Sequence, residues 1–173
     1  MEEGEEEPNE TFYLRFRENL NEVDELSNAI LRGHLEVEGH LDDVVDLIFF
    51  RPEYLRKIRL SFYGKVQIAK AYCPNPDARD WAVIECLSEV RNSIAHNSRV
   101  KTRGAKIAKL QEEMSGWGLR ELHGEKVTDE REIVVLAAAR CCGFLTYLED
   151  SVRKVREVIG ETLEVPAPSE AKD

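Results

Sequence analysis

An arginine interrupts the apolar face of a predicted helix in the segment LSEVRNSIAHN, residues 87–97. At 100° per residue, Arg91 falls inside an apolar arc of about 120°. The other members of this arc are Val83, Ile84, Leu87, Ile94 and Ala95. A guanidinium stays charged, so at such a position it must meet a carboxylate, a phosphate or a partner surface. Geometry alone favours a structural ion pair with an acid of the preceding long helix, and the candidates are Glu36, Glu38, Asp42 and Asp43.

A basic segment surrounds and follows Arg91. The formal net charge of the chain is −10, yet residues 51–110 contain 13 basic and only 5 acidic residues. No acidic residue occurs between Val90 and Gln111. The bases Arg99, Lys101, Arg103 and Lys106 are therefore candidates for a strip that binds RNA. A solvated helix face explains the same pattern equally well, and the sequence leaves both interpretations open.

Metal and cofactor motifs are absent from the sequence. It has no phosphate-binding glycine-rich loop, no nucleophile elbow, and no HExxH or EF-hand motif. His34 and Glu38 lie four residues apart, which would place two ligating side chains on one helix face. His40 is out of register with them, and no second ligand pair occurs on another predicted helix. We therefore expect neither a metal nor a cofactor.

The composition restricts the class of protein. A chain of 173 residues, 42% of them hydrophobic, can bury one core but is too short for two comfortable domains. The longest apolar run, residues 133–139, is far shorter than a membrane span, and the acidic N-terminus differs from a secretory signal. The four cysteines lack paired CxxC spacing, so we expect reduced thiols in a cytoplasmic protein.

Helical periodicity dominates the chain, and no alternating strand pattern occurs. Apolar residues recur at helical spacing in segments 11–23, 26–50, 52–72, 80–96, 107–114 and 129–160. Ser61 could cap a break in the third segment, and Asp129 with Glu132 forms a capping box for the last. The expected fold is all-α, an up-and-down bundle of four principal helices with short accessory helices. We divide the chain into an acidic disordered tail (1–10), a helical bundle (11–160) and a C-terminal tail (161–173).

The segment RNSIAH, residues 91–96, resembles the Arg-x-x-x-x-His signature of the HEPN superfamily, in which asparagine commonly follows the arginine. Three segments in order resemble the mannitol operon repressor branch and its relatives: RGHLEVEGHLDDVVDLIFF, RLSFYGKVQIAKAY and CLSEVRNSIAHN. The resemblance covers residues 26–97, and the rest of the chain matches only as a further core helix. It implies a helical bundle that carries the motif near the end of a late core helix.

The resemblance implies a metal-independent endoribonuclease that acts as a homodimer, with two motifs meeting at the interface. Arg91 and His96 would be the catalytic pair, with Asn92 as a supporting polar residue, and the 2′-hydroxyl of the RNA would be the nucleophile. Such a protein could be a toxin or defence effector with a cognate regulatory or antitoxin partner. Ser98 stands where the toxin branch has a tyrosine, so regulation by modification of that tyrosine is not expected.

These residue types suit that chemistry. A free imidazole has a pKa near 6.5, so His96 could exchange a proton near neutral pH, while the fork of Arg91 could hold phosphate oxygens. Residues five apart on a helix point about 140° apart, so a two-fold dimer would bring both groups together more easily than one chain. Two alternatives stay open: a non-catalytic regulatory or interaction protein in which the motif is structural, and a small-molecule-binding module.

Overall fold

The computed structural model describes residues 25–95, 100–115, 121–122 and 125–163, and this part of the chain is an all-α helical bundle. Its helices are α1 (Glu25–Ile48), α2 (Phe62–Tyr72), α3 (Arg79–Ala95), α4 (Val100–Met114) and α5 (Glu130–Leu163). A 3₁₀ helix, Pro52–Lys57, precedes α2, and a short antiparallel ladder of β1 (Glu121–Leu122) with β2 (Glu125–Lys126) precedes α5. The predicted all-α class is confirmed, whereas the two-residue strands are too short for a periodicity to reveal them.

The segment 52–72 forms two helices with a break where Ser61 could cap. Pro52 lies in the first turn of the 3₁₀ helix, where its missing N–H leaves no hydrogen bond unmade. The backbone becomes extended at Ile58, with φ −106° and ψ 138°. Ser61 then caps α2, since its Oγ accepts a hydrogen bond from the Gly64 N–H at 3.1 Å. The hydroxyl satisfies one of the free N–H groups of the new helix, which fixes where the chain becomes helical again.

Helices α1 and α5 are the two longest described helices, and they pack against each other in parallel. At one end, Arg131 of α5 lies 3.7 Å from the carboxylate of Glu25. At the other end, the Arg156 guanidinium donates hydrogen bonds to the carbonyl oxygens of Leu47 and Phe49, at 2.8 and 3.0 Å. Carbonyl groups at the end of a helix lack partners within it, so Arg156 caps the C-terminal end of α1 from a distant part of the sequence.

Helices α3 and α4 form an antiparallel hairpin. Only four residues separate them, and two contacting helices joined by so short a connection must run in opposite directions. Both helices also contact α5, and α3 contacts α1. In the core that they share, the rings of Trp81 and Phe144 pack edge to face, with their centroids 5.0 Å apart. Other large, fully buried members of this core are Ile30, Leu41, Ile84, Leu87, Ile107, Leu110 and Leu145.

The capping box predicted for the last helix is confirmed at its first residue. Asp129 Oδ1 accepts a hydrogen bond from the Glu132 N–H at 2.9 Å, so α5 begins where expected. Its end differs, because α5 continues through Gly160 to Leu163. A glycine permits the left-handed conformation that ends a helix but does not require it.

None of the described helices is long and apolar enough to cross a membrane. The predicted acidic tail, the first predicted helix and residues 164–173 lie outside the described residues.

Candidate functional site

Helix α3 presents Arg91 and Asn92 at the edge of the core. The inner face of the helix is buried through Trp81, Val83, Ile84, Cys86, Leu87 and Val90. Arg91 is half-buried and Asn92 is exposed. The two side chains are linked, since Arg91 Nη1 donates a hydrogen bond to Asn92 Oδ1 at 3.2 Å. A guanidinium has five N–H donors, so this bond orients the Arg91 fork and leaves further donors for an anion.

Of the four acids of α1 predicted as partners of Arg91, Asp42 is bound by Lys65 and Asp43 lies beside His40 and Glu149. Glu38 is bound instead by Lys65, whose Nζ lies 2.8 Å from Glu38 Oε1. Glu36 lies on another face of α1, where it lines a groove toward Val135 of α5. Within the described ranges Arg91 forms no salt bridge. Its charge is therefore not compensated by the acids that helical geometry alone favours.

The imidazole of His34 is buried in the protein. It is only 5% exposed, and its ring lies 4.5 Å from the Phe62 ring, centroid to centroid. Its Nδ1 lies 3.8 Å from Glu38 Oε2, while its Nε2 is buried without a hydrogen-bond partner among the described residues. Burial lowers the pKa of His34; the charge of Glu38 opposes this shift, and those of Arg91 and Lys65 add to it. The imidazole is therefore neutral at pH 7.

Lys65 connects α2 to α1 through two carboxylates. Its Nζ lies 2.8 Å from an oxygen of Glu38 and 2.8 Å from Asp42 Oδ1, and its side chain is only 12% exposed. Burial lowers the pKa of Lys65, but the hydrogen bonds and charges of Asp42 and Glu38 outweigh it, so the net shift is upward. Lys65 therefore joins Glu38 and Asp42 of α1 to α2 in one ion-pair network, and His34 lies beside this network.

The basic residues of α4 hold this helix against its neighbours. Arg103 is half-buried, and its Nη1 donates to Ser27 Oγ of α1 at 3.3 Å. Lys106 Nζ donates to the backbone carbonyl of Glu89 at 3.2 Å, and Lys109 Nζ lies 3.3 Å from a carboxylate oxygen of the same residue. These bonds connect α4 to α3 and α1. Part of the predicted RNA-binding strip therefore also stabilises the bundle.

Five of the predicted site residues follow the end of α3 in the sequence, and Arg103 and Lys106 among them are described above. His96 and Arg99 are outside the described residues, which resume at Val100. Lys101 belongs to the first turn of α4, whose backbone begins one residue earlier. The chain places α4 immediately after the motif, so the basic residues of α4 and the end of α3 belong to one hairpin. Arg91, Asn92 and the described bases are thus on consecutive helices.

A second group of ionisable side chains, which the sequence did not predict, lies between α1 and α5. Ligand atoms of His40, Asp43 and Glu149 all lie within 4.8 Å of one another. Burial, followed by the charge of Glu149, raises the pKa of Asp43, while His40 opposes the shift. The three-residue spacing of His40 and Asp43 places both on one helix face, which is a signal in the sequence. The third member comes from a distant helix, which no local pattern identifies.

Comparisons with protein-family models, curated proteins and solved structures give no match. Function is therefore inferred from the geometry of the described residues. That geometry offers a half-buried guanidinium, oriented by a neighbouring amide, on a helix that packs against α4 and its basic residues. Such an arrangement can bind a phosphate or another oxyanion without a metal, because Arg N–H groups match the geometry of phosphate oxygens.

Proposed function

We propose that the protein is a metal-independent endoribonuclease of HEPN type that acts as a homodimer, in the role of a toxin or defence effector. The proposal rests mainly on the environment of the Arg91 guanidinium. Its guanidinium is half-buried, oriented by Asn92, and free of a carboxylate partner within the described ranges. A buried or half-buried guanidinium needs an anion, and a phosphate of bound RNA supplies one.

Each residue of the motif has a distinct task in this proposal. Arg91 binds the scissile phosphate and stabilises the charge that grows on its oxygens. Asn92 orients the guanidinium. His96 takes the proton of the 2′-hydroxyl or gives a proton to the leaving 5′-oxygen. Because residues five apart on a helix point about 140° apart, the proposed site takes Arg91 from one protomer and His96 from its partner.

The basic residues that follow the motif support RNA as the substrate. Arg99 and Lys101 follow the motif directly, and Arg103 and Lys106 continue along the same helix. Positive charges beside a phosphate-binding group raise the affinity for a polyanion through the release of counterions. In this proposal the RNA crosses the end of α3 and the first turns of α4.

A regulatory or interaction protein without catalysis is the second candidate, and a specific observation favours it. Lys106 and Lys109 both bind Glu89, and Arg103 binds Ser27, so these bases already have partners within the bundle. In that case Arg91 would meet an acidic group of a partner surface instead of a phosphate. The resemblance to the mannitol operon repressor branch agrees with this candidate.

The deciding experiment incubates the purified protein with single-stranded RNA in EDTA and identifies the products. The endoribonuclease leaves 2′,3′-cyclic phosphate ends, because the 2′-hydroxyl is the nucleophile and no metal-bound water is needed. His96→Ala and Arg91→Ala abolish cleavage, while each variant keeps the melting temperature of the parent within a few degrees. A folded parent that cuts no RNA, or His96→Ala that cuts like the parent, contradicts the proposal and leaves the regulatory candidate.

Mixing the two inactive variants tests whether the site is shared between protomers. When Arg91→Ala and His96→Ala subunits exchange, half of the dimers are mixed, and each mixed dimer has one intact composite site. Activity should return to about a quarter of the parent value. If both groups acted within one chain, every site in the mixture would lack one group and the mixture would stay inactive.

A further inference from the structure

His40 and Asp43 lie on a different face of α1 from His34, and Glu149 belongs to α5, away from Arg91 on α3. His40 and Asp43 are three residues apart on α1, and Glu149 comes from the parallel helix α5. His40 and Glu149 are half-buried, whereas Asp43 is exposed. The group is therefore held by two rigid helices that share a core, and it has one side open to solvent.

We propose that His40, Asp43 and Glu149 bind a divalent transition-metal cation of the zinc type, at a site that is independent of the proposed ribonuclease activity. One imidazole nitrogen and two carboxylate oxygens are a ligand set that zinc accepts, and three protein ligands leave a position for water or a substrate atom. Magnesium and calcium are poorer occupants, since both prefer oxygen ligands alone.

The distances suit such an ion after small side-chain rotations. The three ligand atoms lie within 4.8 Å of one another, while the ligand atoms of a tetrahedral zinc ion lie roughly 3.4 Å apart. All three side chains have rotatable bonds, and Asp43 at the exposed position can move most freely.

The group also contains one unpartnered polar atom, His40 Nδ1, which a cation bound through that nitrogen would satisfy. His40 Nδ1 is shielded from water and has no hydrogen-bond partner among the described residues. A buried nitrogen without a partner is rare in folded proteins and calls for an explanation. The carboxylates of Asp43 and Glu149 are close enough to repel each other, and a divalent cation between them would replace this repulsion with attraction.

Arg153 competes with a metal for Glu149. Arg153 Nη2 lies 2.6 Å from Glu149 Oε1, one helical turn away, and the Arg153 side chain is 55% exposed. The Glu149 side chain is 16% exposed, but solvent around the Arg153 guanidinium weakens the pair, and the carboxylate has a second oxygen. Removing Arg153 should therefore strengthen metal binding, which distinguishes a metal site from a cluster of surface charges.

Calorimetry with zinc chloride, in the full chain carrying Cys73→Ser and Cys142→Ser, tests the proposal. These two substitutions remove the partly exposed thiols, which could bind zinc by themselves. We expect one zinc ion per chain and affinity at least about tenfold weaker in His40→Ala and in Asp43→Asn. Arg153→Ala should bind zinc more tightly, and Glu36→Gln, a carboxylate of the same helix outside the group, should bind it like the parent.

Cobalt(II) substitution identifies the ligand atoms. We expect visible absorption bands of a four- or five-coordinate ion without the intense charge-transfer band that a thiolate ligand produces. Asp43 is exposed, so Asp43→Asn keeps the test valid if His40→Ala does not fold. The proposal is overturned if the folded parent binds no zinc stoichiometrically, or if Asp43→Asn and His40→Ala bind it as tightly as the parent.

Discussion

Arg91 Nη1 and Asn92 Oδ1 are joined by a 3.2 Å hydrogen bond, although neighbouring residues on a helix point about 100° apart. Both side chains must therefore lean toward each other, and the Arg91 fork is held at the edge of the core. The Asn92 amide orients the Arg91 guanidinium as a carboxylate could, but the amide is uncharged and does not neutralise the arginine. This difference between an amide and a carboxylate makes Asn92 a sensitive test of the role of Arg91.

Replacing Asn92 with aspartate should weaken RNA binding while leaving the fold intact. Asp has the same shape, but its charge pairs with Arg91 and competes with a phosphate. We expect a larger loss of affinity in Asn92→Asp than in Asn92→Ala, measured by fluorescence anisotropy with a short single-stranded RNA. Asn28→Asp is the control, since it adds the same charge at an exposed position of α1. Equal losses in Asn28→Asp and Asn92→Asp would mean that only net charge matters.

Gly33 should be intolerant of alanine, because it is a point of close approach between α1 and α5. A Cβ at Gly33 would lie 2.9 Å from the Cβ of Ala138, and neither carbon can rotate away. Overpacking of this kind costs about 1–3 kcal/mol, more than the roughly 1 kcal/mol that alanine adds through helix propensity. Gly33→Ala should therefore lower the melting temperature in a calorimetric scan.

Gly39→Ala is the matched control for this prediction. It lies on the same helix, and an added Cβ there would meet nothing within 4 Å. The helix propensity of alanine should then raise the free energy of unfolding by up to about 1 kcal/mol. If both glycine variants changed stability in the same direction, the close contact between α1 and α5 would not be the cause.

His34 should make the protein less stable in mild acid. Its pKa is lowered from the ordinary value of 6.5 by burial, with Glu38 opposing the shift and Arg91 and Lys65 adding to it. Above that ordinary value neither the folded nor the unfolded chain protonates His34. Below it His34 is protonated in the unfolded chain but not in the folded chain. The free energy of unfolding therefore falls with decreasing pH until the pH reaches the pKa of His34 in the folded protein.

A His34→Gln variant measures this contribution. The slope due to one such group is at most about 1.4 kcal/mol per pH unit, and it disappears when the group cannot titrate. Urea unfolding at pH 7 and pH 5 should show a smaller loss of stability in His34→Gln than in the parent. Identical losses in the two proteins would show that other groups cause the acid sensitivity.

Charge reversal at the start of α4 should reduce the salt dependence of RNA binding. Removing one bond between a basic side chain and a phosphate lowers the slope of log affinity against log salt by about 0.7 for a single strand. We expect the double variant Arg99→Glu/Lys101→Glu to bind RNA more weakly with a flatter slope, in anisotropy titrations at several salt concentrations. The double variant Lys57→Glu/Arg59→Glu changes the charge equally at an exposed site before α2. An equal effect of both variants would argue against a strip beside the motif.

The sequence by itself determined the features that depend on residues close together in the chain. Helical periodicity predicted the all-α class, and the side chains of Ser61 and Asp129 marked where two helices begin. A cap is made with an N–H group only three residues ahead, so the information for it is local. The spacing of Arg91, Asn92 and His96 is local in the same sense, and it suggested a chemistry before any fold was known.

Only the tertiary structure decided which distant side chains meet. Lys65 binds Glu38, so Arg91 lacks the carboxylate partner that helix geometry favoured. Glu149 of α5 lies beside His40 of α1, although the two residues are far apart in the sequence. Each of these contacts depends on how one helix is rotated and displaced against another. That arrangement is set by packing across the whole core, where many side chains contribute together, and not by any single segment. For this reason the sequence identified candidate groups, while the fold determined their partners.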